Sequence, residues 1–563
     1  MATQEDISSL QAPLVFGVTG HRDLRDEDIA ALEQKVRDIF DDFRAKYPST
    51  PFLLLSPLAE GADRLVARVA LGSGARLIAP LPLPQSLYET DFETPESIAQ
   101  FRELLASADE SFALDLLANE DTVRPKGPLR DKEYEKVGKY IARESQVLIA
   151  LWDGTDPAKV GGTAAIVRFQ TEGPDRGPCD LFPPELFPVY HIITPRVSNG
   201  KTPIDALQLK VRYPSAFKGN DDGAKDYYHT IFQDLDEFNC EMAKGGRALA
   251  SQADSCGRPA LSEPARRTMQ QFAYTDALAI QFQSQVRSAD IALHWIVFFS
   301  FLFFVLFAHL DEHPVSFLFI SAVLLGLAIF VHRYSKSKRL EDRFLDYRAI
   351  AEGCRVRLFW QVAGVHDSVA DNYLGKQRTE LDWIRNGLRG WSNGKEYRRE
   401  MGTTTEPLQH VISQWVEKQK EYFEGARESN WKKFERKELE SKICLWIAVG
   451  TGLLLLLFQL LAPQEFKEER WRDIPVIAID AFLAAGALLH HYKERQAYAE
   501  HKKQYDRMHA IFSNALDSLE RIVSSDNFKG AQDCLRKLGK EALVENGDWV
   551  LLHRERPLEL PHP

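Results

Sequence analysis

Four long apolar runs constrain the fold of this chain more than any other feature. They occupy residues 291–310, 315–331, 443–461 and 474–489. The hydrocarbon core of a bilayer is about 30 Å thick and needs roughly 20 helical residues to cross it. The first three runs meet or approach that length, and the fourth is shorter and contains Asp480. The pattern predicts two transmembrane helical hairpins. The alternative is two buried hairpins in a soluble core, where uncharged runs of this length are rare.

Basic residues flank the runs on one side of the predicted membrane. They lie in residues 333–343, 432–442 and 493–503, whereas the first turn, 311–314, has no lysine or arginine. Positive residues collect on the cytoplasmic side of a membrane. We therefore expect a multi-pass protein of the inner (cytoplasmic) membrane with both termini in the cytoplasm. The second turn, 462–473, contains three basic residues and weakens this pattern without reversing it.

The membrane half has the features of an internal repeat. The motif "ALHW" opens the first hairpin and "ICLW" opens the second. Four pairs of matching residues are separated by 158 positions: His332 and His490, Tyr334 and Tyr492, Asp342 and Glu500, and Tyr347 and Tyr505. We predict a duplicated unit made of an entry helix, a hairpin and a long exit helix. The alternative is chance matching among tyrosines and charged residues.

The first 200 residues alternate short apolar runs with amphipathic helical stretches. Runs such as "LVFGV" and "VLIALW" are apolar throughout, which is typical of parallel strands covered on both faces. This predicts a doubly wound, Rossmann-like α/β domain with a parallel sheet. The predicted domains are 1–200 (α/β domain), 201–290 (helical linker), 291–441 (first transmembrane hairpin with cytoplasmic helices), 442–525 (second transmembrane hairpin with exit helix) and 526–563 (C-terminal tail).

Charge and cysteine content exclude several classes of function. The 70 basic and 81 acidic residues give a net charge of −11, which disfavours nucleic-acid binding because that binding relies on basic surface. The six cysteines are far apart and form no CxxC motif or zinc-type spacing. We therefore expect reduced thiols, no metal, no cofactor and no nucleic-acid partner.

Polar clusters follow the predicted strands, where open parallel sheets bind their ligands. Glycines allow a phosphate to approach the backbone, helix starts attract anions, and arginines grip phosphate oxygens. A tryptophan offers a face for a base, and an aspartate accepts a ribose hydroxyl. The candidate nucleotide-binding residues are Gly20, His21, Arg22, Ser56, Gly61, Asp63, Arg64, Trp152, Asp153, Gly154, Gly161, Gly162 and Thr163. For any one cluster the alternative is a plain turn, and for His21 it is a capping or core histidine.

Four motifs carry a resemblance: "GVTGHRDL", "SPLAEGADRLVA", "VLIALWDG" and "GGTAAIV". Together they resemble the SLOG superfamily, Rossmann-like domains that include the Lonely-guy phosphoribohydrolases. The resemblance covers about residues 14–196 and implies nucleotide binding at these loops, by an enzyme or by a sensor of nucleotide second messengers. The hydrolases have the pattern PGGxGTxxE with a catalytic glutamate. Here Val160 replaces the proline and Ile166 stands where the glutamate is expected, so we expect a binding domain rather than an enzyme.

The hairpin, the long helix and the ending "GKEALVENGDWVLLHRERPLELP" resemble the SLATT domains, which are two-helix membrane modules found beside SLOG domains in bacterial defence systems. The two resemblances together imply a homo-oligomeric membrane effector that senses a nucleotide-derived messenger, such as a cyclic nucleotide, and perturbs the bilayer, in antiviral (anti-phage) defence. The alternatives are a membrane-tethered nucleotide N-glycosidase, and a transporter or scaffold without a nucleotide ligand.

Two polar residues lie within the apolar runs. An ionised aspartate at bilayer depth is costly and usually faces a polar partner or water. We expect Asp480 to line an aqueous path or an oligomer contact, with Gln459 of the preceding helix as a possible partner. The alternative is that the fourth helix enters the membrane after Asp480, which is then interfacial.

Overall fold

A computed structural model describes residues 10–155, 162–174, 184–198, 203–253, 261–310, 314–375, 381–393, 405–461 and 469–559. The chain divides into two compact units. The first contains Met1–Tyr274 and His366–Met401, and the second contains Thr275–Val365 and Gly402–Pro563.

The first unit is built on a seven-stranded sheet. Its strands are β1 Leu14–Gly20, β2 Phe52–Leu55, β3 Arg76–Leu81, β4 Glu110–Ala113, β5 Val147–Trp152, β6 Val189–Ile193 and β7 Leu209–Arg212. Their order is β4-β3-β2-β1-β5-β6-β7, and every neighbouring pair is parallel except β6 and β7. The predicted α/β class with a parallel sheet is therefore confirmed.

Helices connect these strands and make up the second unit. Those of the first unit's sheet are α1 Ile29–Lys46, α2 Ala62–Gly72, α3 Pro95–Ala106, α4 Pro128–Glu144 and α5 Thr163–Glu172. The later ones are α6 Asp221–Ala253, α7 Glu263–His309, α8 Val315–Ser337, α9 Leu340–Ala363, α10 Asp382–Trp391, α11 Lys418–Leu461, α12 Glu469–Arg495, α13 Tyr498–Ser524 and α14 Phe528–Arg554. Shorter helical segments lie at Asp26–Asp28, Gln85–Tyr88, Glu89–Asp91, Glu120–Val123, Ser215–Phe217, Val369–Asn372, Thr405–Val411 and Ile412–Glu417.

The central strands β1 and β5 owe their position to their apolar sequences. All six residues of β5 are buried, as are the first five of β1. Phe16 of β1 packs edge-on against Phe43 and Phe52, with ring centroids 5.2 Å away in both cases. Burial on both faces requires the helical layers that the strand–helix alternation supplies.

Two edge strands, β4 and β7, were not expected from the sequence. Only Phe112 of β4 is buried, and no residue of β7 is. Edge strands lack the continuous apolar run that marks a central strand. The predicted helical linker 201–290 thus contains β7 as well as residues of the long helices α6 and α7.

Residues of the first unit also come from beyond the first apolar hairpin. The ring of Phe238 lies 5.5 Å from that of Trp383 and 6.1 Å from that of Trp391. The Trp391 indole donates to the Leu10 carbonyl oxygen at 3.1 Å. Burial of these tryptophans draws His366–Met401 into the first unit. The units thus differ from the sequence-contiguous domains 201–290 and 291–441.

Four helical stretches in the described chain are long and apolar enough to cross a membrane. They are Glu263–His309, Val315–Ala363, Glu406–Leu461 and Asp473–Ser524. Between 6% and 17% of their most apolar windows is buried inside the protein. Apolar surface this extensive is not exposed by soluble proteins. These four stretches are consistent with a membrane protein, and their exposure disfavours the alternative of hairpins buried in a soluble core.

The second unit repeats its backbone at the spacing of 158 seen in the sequence. Helix α8 ends at Ser337 and α12 ends at Arg495. The next helix starts three residues later in both cases, after a left-handed residue with φ 49°, Arg339 in one and Ala497 in the other. Left-handed backbone is costly for residues other than glycine, so the same break at equivalent positions supports the predicted duplication.

The entry helices match at a second spacing, 151. Leu293 and Ala328 share a buried cluster between α7 and α8. Their counterparts are Cys444, 151 positions after Leu293, and Gly486, 158 positions after Ala328. A Cβ added to Gly486 would lie 3.4 Å from the Cys444 Cβ. The spacing increases by seven residues, from 151 to 158, between the two helices of a hairpin. The connection between those helices is longer in the second hairpin than in the first.

Candidate functional site

A pocket of about 380 Å³ lies at the carboxyl end of the sheet, beside β1. The chain runs from β1 toward β2 on one side, whereas β5 leads to β6 on the other. Ligands of open α/β sheets bind at such a reversal of strand order. The fold therefore places the pocket where the sequence predicted a site.

Five of the predicted residues line this pocket. They are Gly20, Arg22, Asp63, Gly162 and Thr163. They come from the β1 loop, the first turn of α2 and the start of α5, which are far apart in sequence. Three of the segments that the sequence predicted to lie close together therefore line one pocket. Gly161 lies outside the described residues.

Helix α4 supplies a wall of the pocket that sequence reasoning missed. Arg130, Tyr134, Gly138 and Ile141 all line it. Their spacing of four, four and three puts them on one helical face. That periodicity was available in the sequence, but the search for strand-end loops passed over a helix. The other lining residues that were not predicted include Tyr88, Asp91, Lys126, Gly127 and Asp131.

Of the two arginines that the sequence predicted for this site, Arg22 lines the pocket and remains accessible. Its side chain is exposed, and its guanidinium carbon lies 5.0 Å from the centroid of the Tyr134 ring. A guanidinium over an aromatic face is attracted electrostatically, and Arg22 also makes a side-chain hydrogen bond to Tyr134. Arg22 is therefore placed to hold an anion.

Asp63 brings a buried carboxyl group to the same pocket. Its side chain is 7% exposed and lies in the first turn of α2. Burial raises the pKa of this carboxyl to about 7, although the Arg22 charge and a backbone N–H from Ala59 act in the opposite direction. A group with this pKa exchanges a proton near neutrality, so the charge of the pocket changes in that range.

The α4 wall is held by a buried ion pair. Arg130 Nη2 lies 2.8 Å from Asp91 Oδ2, and both residues are less than 10% exposed. Arg130 Nη1 donates to the carbonyl oxygens of Val123 and Arg124, and Nε donates to Asp91. The Tyr134 hydroxyl also donates to Asp91. Arg130 has its hydrogen-bonding capacity filled by the protein, so it shapes the pocket and leaves Arg22 and Lys126 as the open cations.

Glycines let the β1 loop and the start of α2 touch. The Ala62 N–H donates to the His21 carbonyl oxygen at 3.0 Å. Gly61 has φ +75°, and a Cβ there would lie 2.4 Å from the Arg22 carbonyl oxygen. A Cβ on Gly20 would lie 2.4 Å from that of Ala62. Gly61 is thus required for packing and does not line the pocket.

The predicted ligand-facing role of His21 is not what the structure gives. His21 Nε2 accepts a hydrogen bond of 3.0 Å from the Asp153 N–H, and the residue is 8% exposed. Burial lowers the pKa of His21, with the Arg196 charge acting the same way. His21 is therefore a neutral imidazole that joins β1 to β5, which corresponds to the alternative of a core histidine. It fixes the start of the Arg22 loop.

The other residues after β5 also serve the turn itself. Asp153 Oδ1 accepts from the N–H and hydroxyl of Thr155 at 2.9 and 2.7 Å. The Trp152 indole donates to the Thr155 carbonyl oxygen, and its ring packs against His191. Gly154 adopts φ +83°. None of these three predicted residues lines the pocket described here, so a base-stacking Trp152 and a ribose-binding Asp153 find no support.

Ser56 and Arg64 are likewise internal. Arg64 Nε donates to the Leu58 carbonyl oxygen at 3.1 Å and Nη1 donates to Ser97. The Ser56 hydroxyl donates to the Asp63 carbonyl oxygen at 3.2 Å. Both side chains are buried. Instead of the expected contacts with a phosphate, Arg64 makes hydrogen bonds that stabilise the β2–α2 turn.

The start of α5 lines the same pocket as Arg22 and can attract an anion. Gly162 is its N-cap residue, and Thr163 begins the helix. The first-turn N–H groups of a helix have no acceptors within the helix and carry a partial positive charge. Within the described residues, no group of three or more possible metal ligands occurs. The chemistry on offer is anion binding by Arg22, Lys126 and a helix start.

The polar residues of the apolar runs are placed apart. Asp480 Oδ2 lies 3.3 Å from His309 Nε2. Gly452 of α11 lies opposite Ile479, and Gln459 lies seven residues further along α11, about 10 Å away. Gln459 is exposed. The expected pairing of Asp480 with Gln459 is therefore replaced by pairing with His309.

A comparison of the sequence with protein-family models gives no match, and a comparison with curated proteins gives no significant match.

Proposed function

We propose that the first unit binds a phosphate-bearing nucleotide and that this binding controls the state of the membrane helices. The observation that carries the proposal is the pocket at the strand-order reversal, with Arg22 and the start of α5 on its lining. A phosphate between them gains charge-assisted bonds from both. The same chain supplies four apolar stretches that suit a bilayer.

The volume and the lining of the pocket favour a small nucleotide. About 380 Å³ is near the lower end of the 300–1,000 Å³ usual for small-molecule sites. The cations Arg22 and Lys126 suit the phosphate. Asp63, when ionised, suits a sugar hydroxyl, and the Tyr88 and Tyr134 rings offer apolar surface beside it. A mononucleotide or a small cyclic nucleotide is the ligand class that we propose.

In the membrane we propose two transmembrane hairpins with both chain ends in the cytoplasm. The basic flanks of the apolar runs support this orientation, and the repeated break after α8 and α12 gives the two halves the same layout. Binding in the cytoplasm then shifts the packing of a homo-oligomer and makes the inner membrane leaky. A ligand can shift this equilibrium only if it binds the leaky state more tightly.

The SLOG and SLATT resemblances support a bacterial defence setting for this effector. The resemblance implies that the "TGHRD" loop of this chain contacts a nucleotide, and this loop supplies Arg22 to the pocket. The hydrolase alternative finds less support. Ile166, at the position of the expected catalytic glutamate, is 2% exposed and packs on Gly138. We therefore expect binding without release of a base.

The decisive experiment uses the full chain in detergent and a panel of mononucleotides and cyclic nucleotides. Thermal shift identifies a ligand, and calorimetry gives its affinity. Arg22→Ala should weaken that ligand about 10- to 150-fold, as the loss of one charge-assisted bond of about 1.5–3 kcal/mol implies. Arg68→Ala is the matched control, because Arg68 is an exposed arginine of α2 outside the pocket.

Three results would contradict the proposal. The first is the absence of any nucleotide binding. The second is binding that Arg22→Ala and Arg68→Ala affect equally. The third is chromatographic detection of free base after incubation with nucleoside monophosphates, which would favour the N-glycosidase alternative. Dye-loaded vesicles containing the protein test the membrane step, since leakage should begin only after the bound nucleotide is added.

A further inference from the structure

Two ion pairs occupy equivalent places in the repeated halves of the second unit, with their charges exchanged. In the first half, Arg348 Nη1 of α9 pairs with Asp276 Oδ1 of α7 at 2.5 Å. In the second, Arg427 Nη1 of α11 pairs with Asp506 Oδ1 of α13 at 3.3 Å. Asp276 and Arg427 differ by 151 positions, and Arg348 and Asp506 differ by 158. These are the spacings that relate the two entry helices and the two exit helices.

Each exit helix also makes an aromatic contact with its own entry helix. The Tyr347 ring, one residue before Arg348, lies 5.3 Å from the Phe282 ring of α7. The Tyr505 ring, one residue before Asp506, lies 5.7 Å from the Phe423 ring of α11. The two tyrosines differ by 158 positions, but their phenylalanine partners differ by 141, so the phenylalanines lie at different turns of the entry helices. Each exit helix therefore packs on its own entry helix through a tyrosine followed by a charged residue. Apolar packing is not directional, so it does not by itself distinguish the correct partner from its repeat.

The exchanged charges supply that distinction. If α7 packed on α13 in the manner of its own partner, Asp276 would face Asp506. If α11 packed on α9, Arg427 would face Arg348. Both wrong pairings juxtapose like charges, and repulsion in a wrong complex is a general source of specificity. The four side chains are between 28% and 44% exposed, so their ion pairs add little to stability and their value lies in discrimination.

We propose that the exchanged ion pairs direct each entry helix to the exit helix of its own half, and so prevent exchange of helices between halves or between neighbouring copies of the chain. Exchange of identical or similar elements is a known hazard of repeated and oligomeric proteins. This device permits two similar membrane modules to be fused in one chain without mixing. It is independent of the nucleotide pocket.

Disulfide trapping in the full chain tests the proposal, after replacement of its six cysteines. The native reporter is Phe282→Cys with Tyr347→Cys, and the exchanged reporter is Phe423→Cys with Tyr347→Cys. The natural charges should give the native disulfide alone, within one chain. Asp276→Arg with Arg348→Asp keeps an ion pair in each half but makes the wrong pairings attractive as well. Here the exchanged disulfide should appear, within a chain or between chains.

Single substitutions separate specificity from stability. Arg348→Asp repels Asp276 and attracts Arg427, so the exchanged disulfide should exceed the native one. Arg348→Gln removes the native pair without adding an attraction, so the native disulfide should still dominate. The proposal fails if the double reversal gives only the native disulfide or neither disulfide. It also fails if Arg348→Gln yields as much exchanged disulfide as Arg348→Asp, since this would indicate a merely stabilising ion pair.

Discussion

His309 Nε2, at the end of α7, lies 3.3 Å from Asp480 Oδ2 in α12. A second polar contact joins the same helices at the other end of their apolar runs, where His294 Nε2 and His491 Nδ1 lie 3.3 Å apart. The fifteen residues from His294 to His309 span about 22 Å of helix. The first helix of one half is thus tied to the second helix of the other at two depths, with apolar residues between.

The His309–Asp480 contact predicts a specific effect of Asp480→Leu. An ionisable group at bilayer depth costs about 2.5–3.5 kcal/mol, and here it has a polar partner rather than lipid. Removing the carboxylate should leave nucleotide affinity unchanged and abolish nucleotide-dependent dye leakage from vesicles. Gln459→Leu is the control, because Gln459 is exposed and should leak like the natural protein. Unchanged leakage in Asp480→Leu would return this residue to an interfacial role.

Accessibility from outside the cell checks the proposed membrane orientation. A single cysteine is introduced at Ser337 or at Glu312 in a chain without its natural cysteines. An impermeant thiol reagent should label the Glu312 probe in intact cells, because the first turn carries no lysine or arginine. The Ser337 probe, within the basic flank, should be labelled only after lysis. Labelling of the Ser337 probe in intact cells would overturn the orientation.

Asp63 gives the stability of the first unit a predictable pH dependence. Burial raises its pKa from 3.8 to about 7 in the folded chain. Folded protein therefore keeps this proton from about pH 4 to 7 while unfolded protein releases it, so the free energy of unfolding should fall as pH rises through that range and level off above pH 7. At about 1.4 kcal/mol per unit, the loss is on the order of 4 kcal/mol.

The substitution Asp63→Asn isolates this contribution from other titrating groups. The free energy of unfolding of the variant should not fall between about pH 4 and 7. The melting temperature of the variant should therefore exceed that of the natural protein by more at pH 8 than at pH 4. Asp131→Asn, at an exposed carboxylate of the same pocket, is the control and should follow the natural protein. Parallel pH profiles for the natural protein and Asp63→Asn would contradict a buried, protonated Asp63.

Residues near a strand end were predictable, but their roles were not. The apolar run ending at Gly20 locates β1, and sheet geometry then brings Arg22 toward the other strand-end loops. Arg22 and Arg64 look alike in the sequence, since each follows a glycine-containing turn. They differ because Arg64 meets Leu58 and Ser97, while the Tyr134 ring supports Arg22 at the pocket. Those partners are set by tertiary packing, which local pattern does not contain.

The membrane half shows the same limit. Hydropathy predicts the four apolar stretches, and the spacing of 158 predicts the repeat. The sequence did not identify the partner of Asp480. The nearest candidate in sequence, Gln459, lies on the adjacent helix, whereas the partner found, His309, lies in the other half of the repeat. Helix-to-helix neighbours depend on how the two hairpins pack, and a single sequence does not specify that.

Two glycines with the same backbone angle provide the last prediction. Gly61 and Gly74 both have φ +75°, but a Cβ on Gly61 would lie 2.4 Å from the Arg22 carbonyl oxygen, and one on Gly74 would meet nothing within 4 Å. Gly74→Ala should therefore lower the free energy of unfolding by about 1–2 kcal/mol, the cost of left-handed backbone.

Gly61→Ala should lower it by several kcal/mol, because the loop must also move. That movement displaces Arg22, so nucleotide affinity should fall in Gly61→Ala and persist in Gly74→Ala. Denaturant titration of the two variants measures the stability difference, and calorimetry measures the affinity. Equal destabilisation by both substitutions would mean that the loop after β1 yields to a methyl group, and that Gly61 does not set the position of Arg22.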